Sequence, residues 1–231
     1  MRKISPQSII DDFVKQLGDI KDLYIEGIGA LSNDGGKSRL AEYSLLAAAV
    51  AWEGFISDMF IAYINADSGR FKQHLRNSFD EHLTKHDKAN TVFSKYGKIE
   101  FRSHLTKADV QSLANSSGSN ITFSKFTSLE DQAKTWLVQQ HANKFVKLDP
   151  SQKGVVNAVI ALRNHIAHRS KRSLDAMNDA LAAHALHTTG IKRQDNKFHN
   201  VGAWLKAKPV GRSESRLITI ITILEAIGRA C

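Results

Sequence analysis

The chain has 231 residues, 24% of them charged and 42% hydrophobic, which is typical of a folded globular protein and excludes a disordered chain. Its 32 Lys and Arg against 23 Asp and Glu give a formal net charge of +9, and its one cysteine excludes an internal disulfide and a cysteine-rich zinc site. The longest apolar run, Leu45–Trp52, stops at Glu53, and the basic N-terminus lacks the apolar core of a signal peptide, so we expect a cytoplasmic protein without a membrane span.

Three helices are predicted in the first part of the chain. Apolar residues at three- and four-residue steps over Ile9–Tyr24 indicate one buried helix face, and Ser5–Pro6 supplies an N-cap followed by an N1 proline. A break at Asn33–Gly36 precedes a helix over about 39–66. That second helix is apolar around most of its circumference and is expected at the centre of a bundle. A third helix is predicted over about 69–88.

The middle of the chain has a less regular pattern. Residues 89–127 mix short apolar groups with loop residues, and we expect a short helix over Lys107–Leu113, a loop at Asn115–Asn120 and room for a pair of strands. We therefore predict one domain over 1–231, with an insertion at about 70–125 between its core helices.

Helical periodicity returns after the insertion. A capping-box pattern at Ser128–Asp131 predicts a helix that runs to about Phe145, and Asp149–Pro150 predicts the start of the next one. Further helices are predicted over about 173–187 and 213–229. The fold class expected from these elements is all-α.

Positive charge is concentrated in the last third of the chain. From Arg163 onward there are twelve basic and five acidic residues, which account for most of the net charge. A basic segment of this kind indicates a polyanion partner, because Lys and Arg contacts to phosphates release counterions. A basic surface that serves solubility is the alternative.

One segment of the basic third combines a helix with residues suited to chemistry. Its apolar stripe is formed by Val155, Val159, Leu162 and Ile166. Arg163 lies on the flank of this stripe, about 40° from Val159 on the helical wheel, and a core-flanking Arg requires a partner. Asn164 and His168 are one turn apart and share a face that points away from the stripe. Arg163 and His168 can therefore act on one phosphate only where the helix ends or where a second copy covers it.

The string Arg163-Asn164-His165-Ile166-Ala167-His168 resembles the R-(polar)-x3-H signature of HEPN domains, helical bundles found in many prokaryotic toxin and phage-defence RNases. The wider Leu-Arg-Asn-x-Ile-Ala-His string resembles the RNA-repair-linked RiboL-PSP-HEPN group and a group linked to stand-alone defence genes. The upstream segment Leu45–Phe60, with Ala51–Phe55 followed by Asp58, is similar to the central helix of those groups. The resemblance covers about 40–66 and 128–229, implies a HEPN-like bundle, and leaves the insertion at 70–125 unexplained.

The resemblance implies a chemistry for the motif. Two motifs would face each other across the cleft of a homodimer, with His168 as general acid or base and Arg163 on the scissile phosphate. Asn164 would orient His168 or the phosphate by hydrogen bonding. The products would be a 2′,3′-cyclic phosphate and a 5′-OH. Glu53, as a partner of Arg163, and His165 are candidate auxiliary residues. No metal and no cofactor are expected, because no third ligand accompanies the histidine pairs His165/His168 and His184/His187 in the sequence.

The expected partners follow from this chemistry. They are RNA, a second copy of the chain and an antitoxin or defence-system protein. The candidate RNA-binding residues are Arg169, Lys171, Arg172, Lys192 and Arg193.

Two other functions stay open on the sequence. One is a non-catalytic HEPN-like module that binds RNA, nucleotide or a partner protein. The other is a scaffold or antitoxin-like protein whose basic surface binds an acidic partner.

Overall fold

The computed structural model describes residues 4–115, 119–193 and 200–231. Within these ranges the chain forms eleven α-helices, one short 3₁₀-helix and no strand, so the predicted all-α fold class is confirmed and the expected strand pair is wrong. The α-helices are α1 Pro6–Ala30, α2 Asp34–Ala66, α3 Gly69–Thr84, α4 Asp87–Tyr96, α5 Lys107–Ala114, α6 Phe126–Trp136, α7 Gln139–Val146, α8 Pro150–His168, α9 Lys171–Ala182, α10 Val201–Lys206 and α11 Arg216–Ala230.

Helix α2 lies at the centre of the bundle, as its apolar circumference predicts. It packs against α1, α8, α10 and α11. The rings of Phe13 on α1 and Phe55 on α2 stack with their centroids 4.2 Å apart. By length and composition alone α2 also matches a membrane-spanning helix, the one such helix in the part of the chain described here. However, 61% of its most apolar window is buried by the rest of the protein, and a buried core helix passes the same test.

Helix α2 begins earlier than the glycines suggest. The side chain of Asn33 caps the helix by accepting the N–H of Gly36 at 2.5 Å, so the two glycines lie in the first turn. The predicted break at Asn33–Gly36 is therefore limited to the residues up to Asn33, because one cap outweighs the low helix propensity of glycine.

The middle of the chain is more helical than expected. The predicted helix over 69–88 is α3, which ends at Thr84, and α5 confirms the predicted short helix. Helix α4 lies almost entirely in residues for which no helix was predicted. Three residues of the predicted loop, 116–118, lie outside the described residues. The division of the chain into a core and an insertion at 70–125 stays a prediction.

The helix predicted from Ser128 to Phe145 is also two helices. Helix α6 begins at Phe126, whose buried ring anchors the start and whose N–H donates to Asn157 Oδ1 at 2.8 Å. This long-range bond replaces the predicted capping box at Ser128–Asp131, which does not form. Leu137 has extended backbone and a buried side chain, and it separates α6 from α7.

The starts of the C-terminal helices are set by capping residues. Asp149 and Gln152 form a capping box at the start of α8. Ser170 caps α9, which starts two residues before the predicted position and ends at Ala182. A 3₁₀-helix at His184–Leu186 follows it. Helix α11 starts after Ser215, its N-cap.

Helix α10 was not predicted. At six residues it is too short to show a periodicity. A Cβ on Gly202 would lie 2.0 Å from the carbonyl oxygen of Ser38, so a glycine is what allows α10 to approach α2.

Candidate active site

The motif residues lie on the C-terminal half of α8, at the edge of the core. Leu162 and Ile166 are buried in the bundle, whereas Arg163 and Asn164 are partly exposed and His168 is exposed. The helix ends at His168. Arg163 and His168 lie on different flanks of the helix and can act on one phosphate only where the helix ends, and this is where they are found.

Arg163 has two side-chain partners. Its Nη2 lies 3.4 Å from Glu53 Oε2 on α2, with side chains 32% and 25% exposed, and its Nη1 donates to Asn164 Oδ1 at 3.0 Å. The ion pair expected from the sequence between Glu53 and Arg163 is thus present. The auxiliary role of Glu53 in chemistry stays a prediction.

The two histidines of the motif have different surroundings. His165 is 5% exposed, and its Nδ1 lies 3.2 Å from the hydroxyl of Ser173 on α9. That contact ties α9 to α8 and gives His165 a structural position. The His168 ring forms no hydrogen bond with any residue in the described ranges, so it can contact a ligand.

Arg169 fixes the end of α8. It is the C-cap and has a left-handed backbone, with φ at 49°. Its guanidinium donates to Glu42 Oε2 on α2, and Glu42 Oε1 accepts the N–H of Gly202 on α10 at 3.1 Å. Of the predicted RNA-binding residues, Arg169 is therefore already paired within the protein.

A groove of about 840 Å³ runs between α8 and α9 and opens beside the motif. Asn164 and His168 line it, together with Arg172 on α9. Its remaining lining includes three residues that the sequence analysis missed, Lys125, Asn157 and Asp179. Small residues on the facing sides of two consecutive helices were the signal that could have indicated this space.

The other predicted basic residues lie in two places. Lys171 and Arg172 form the first turn of α9, directly after the motif. The N–H of Arg193 donates to the carbonyl of Leu181, near the opposite end of α9, about 15 Å along the helix from Lys171. Lys192 and Arg193 do not line the groove. The structure therefore brings only part of the predicted basic set to the motif.

No group of three or more His, Cys, Asp or Glu side chains that could hold a metal is found in residues 4–115, 119–193 and 200–231. Of the histidine pairs in the sequence, His184 and His187 have stacked rings, with centroids 6.2 Å apart.

Comparisons with known proteins bear on the family. The family model described as RiboL-PSP-HEPN matches residues 7–198. This range contains both segments that carry the resemblance, Ala51–Asp58 on α2 and Arg163–His168 on α8, and it also spans residues 70–125. No curated protein and no solved structure matches the chain. The resemblance stated from the motif is confirmed.

Proposed function

The chain belongs to the RiboL-PSP-HEPN family, and on that premise we propose that it is a metal-independent endoribonuclease of a toxin or anti-phage defence system. The family indicates a nuclease or another RNA-related function. The finer assignment is carried by one observation: Asn164 and His168 line the same groove, and Arg163 is hydrogen-bonded to Asn164 at its edge.

The reaction is an internal transfer at phosphorus. The ribose 2′-oxygen bonds to the phosphorus, and the bond from the phosphorus to the 5′-oxygen of the next nucleotide breaks. His168 accepts the 2′-OH proton, and a protonated imidazole on the other side, the partner's His168, gives a proton to the leaving oxygen. The products are a 2′,3′-cyclic phosphate and a 5′-OH. A histidine suits this role because imidazole is the side chain used most often as a general acid and base.

Arg163 supplies the charge that the phosphate needs. A guanidinium has five N–H donors, and the structure uses one toward Asn164 and one toward Glu53. Three donors are left for the scissile phosphate and for the charge that develops on it in the transition state. Glu53 and Asn164 orient the guanidinium and are positioning residues for this reaction.

An exposed apolar face next to this ion pair supports the homodimer. Tyr43 and Val50 on α2 are 65% and 59% exposed, and Ala47 between them is exposed as well. Val50 precedes Glu53 by three residues, so the two are neighbours on the helix surface. A second copy that covers this face would bring its own Arg163 and His168 toward the same cleft.

RNA cleavage in EDTA tests the proposal. Purified protein should cut RNA, and His168→Ala and Arg163→Ala should each reduce the rate at least about 100-fold, because each removes an acid–base or charge-stabilising group. The matched controls are His82→Ala and Arg70→Ala on α3, both exposed. Circular dichroism and thermal unfolding show that the variants are folded.

The outcomes are distinct. Full activity of His168→Ala or Arg163→Ala contradicts the assignment. RNA binding without turnover at high protein concentration contradicts the enzyme and identifies a binding module. Co-purification with an acidic protein and no binding of RNA identifies the scaffold or antitoxin-like alternative.

A further inference from the structure

The groove between α8 and α9 extends well beyond the motif. Small residues line it on both helices, Ala161 on α8 and Ala176 and Ala180 on α9. Because these side chains do not fill the space between the helices, a volume of about 840 Å³ is left, near the upper end of the range for small-molecule sites, about 300–1,000 Å³. The motif itself occupies only one end of this space.

Several charged side chains that line the groove are unpaired within the part of the chain that the structure describes. Lys125, His168, Arg172 and Asp179 form no side-chain hydrogen bond or ion pair with any residue in the described ranges. By contrast, Lys153, which also lines the groove, forms an ion pair with Glu130 at 2.8 Å, so its charge is already balanced within the protein. The unpartnered cations favour a ligand with phosphate. The unpartnered carboxylate of Asp179 repels phosphate, so it is suited to contact another part of the ligand, one that donates hydrogen bonds.

Asn157 and Asp179, which line the same groove, carry the donor and the acceptors that one base edge requires. Asn157 Oδ1 accepts the N–H of Phe126 at 2.8 Å, which fixes the amide and leaves its NH₂ as a donor. The carboxylate of Asp179 is a two-oxygen acceptor. Guanine presents an acceptor, O6, beside two adjacent donors, N1–H and the N2 amine. No other standard base has two adjacent donors on that edge.

The spacing also fits one nucleotide. Asp179 is two turns of α9 from Arg172, about 10 Å along the helix axis. That separation is comparable to the distance from a backbone phosphate to the far edge of its base. Ile160 and Ala161 supply an apolar surface between the two ends, against which an unstacked base can lie.

We propose that this groove is a guanine subsite: it holds the nucleotide next to the scissile phosphate, with its base read by Asn157 and Asp179, and makes cleavage guanine-specific. This inference rests on the proposed endoribonuclease function. It goes beyond that function because it assigns a base preference and two specificity residues outside the family motif.

Mapping of cleaved ends tests it. A pool of single-stranded RNA with randomised sequence is digested, and the bases beside each cut are counted. The wild-type protein should show guanine enriched about 5- to 150-fold at one position adjacent to the cut, the discrimination that one bidentate side chain–base pair supplies. Asp179→Asn should lose this enrichment while still cutting the pool. Asp80→Asn on α3 is the matched control and should keep it.

A second measurement separates the two proposals. Isothermal titration calorimetry measures how tightly the protein binds guanosine, adenosine, cytidine and uridine monophosphates, in an assay that involves no cleavage. Cleavage with no base preference, or with a preference unchanged in Asp179→Asn, overturns the subsite and leaves the endoribonuclease intact. No cleavage, with guanosine monophosphate bound more tightly than the others and this preference abolished in Asp179→Asn, overturns the endoribonuclease and identifies a site for a free guanine nucleotide. Neither cleavage nor selective binding overturns both.

Discussion

Glu42 holds the end of α8 to two other helices, and its removal should cost more stability than that of an ordinary surface acid. Its side chain is 13% exposed. Loss of the acceptor for the buried Gly202 N–H, 3.1 Å away, costs about 1–3 kcal/mol. Loss of the pair with Arg169, which is 46% exposed, costs about 0.2–1 kcal/mol. Glu42→Ala should therefore lower the free energy of unfolding by about 1.2–4 kcal/mol, and Tm by about 2–16 °C.

A set of variants measured by urea unfolding and by thermal unfolding separates the two contributions. Glu42→Gln keeps an oxygen for Gly202 and should cost about 1 kcal/mol or less, as should Arg169→Ala. Glu26→Ala on α1, which removes an exposed acid, should have no measurable effect. If Glu42→Gln is as destabilising as Glu42→Ala, or if Glu42→Ala stays within about 0.5 kcal/mol of the wild type, the reasoning is refuted.

The same pair bears on activity. Arg169 directly follows His168, so release of its side chain frees the turn that carries the imidazole. Glu42→Ala and Arg169→Ala should both slow RNA cleavage at a temperature where each variant is fully folded. Cleavage at the wild-type rate in both variants would show that the Glu42–Arg169 pair does not position His168.

The surface and the core lead to three further predictions. Neutralising Lys171–Arg172 should lower the salt dependence of RNA binding by about one log–log unit for each phosphate that the protein no longer binds, and neutralising Lys192–Arg193, near the other end of α9, should lower it less; equal slopes would contradict this placement. Val50→Arg should shift the protein from dimer to monomer in analytical ultracentrifugation without unfolding it, whereas an unchanged mass would exclude this face as the interface. Burial, with a smaller effect of Lys144, lowers the pKa of His141 below its ordinary 6.5. The unfolded state therefore binds this proton more tightly, stability falls as the pH drops below about 6.5, and His141→Phe should flatten that dependence in thermal unfolding.

Helices with local start signals could be predicted from the sequence. Ser5–Pro6 and Asp149–Pro150 place an N-cap before a proline, and α1 and α8 begin where these pairs indicate. The starts of α2 and α6 were misplaced. Gly35 and Gly36 predict a break, although Asn33 caps a helix that includes them. The start of α6 is set by Asn157, 31 residues away. The helix propensities of neighbouring residues give no information about a contact this far along the chain.

Some features of the candidate site could be predicted from the sequence and others could not. The sequence identified the motif, and the position of Arg163 on the flank of the core correctly indicated a partner, Glu53. It did not indicate that Arg169 is bound to Glu42, because Arg169 follows the last residue of α8 and no position on a helical wheel called for a partner. Nor did it indicate the groove: the small residues that line it are visible in the sequence, but which sides of α8 and α9 border the same space is not.

The chemistry of the cleaved ends tests the central claim most directly. Phosphorus NMR of an RNA digested in EDTA should show a 2′,3′-cyclic phosphate that accumulates with wild-type protein and is absent with His168→Ala. Products that end in a 3′-OH and a 5′-phosphate, or a cyclic phosphate that forms at the same rate with His168→Ala, would contradict the account.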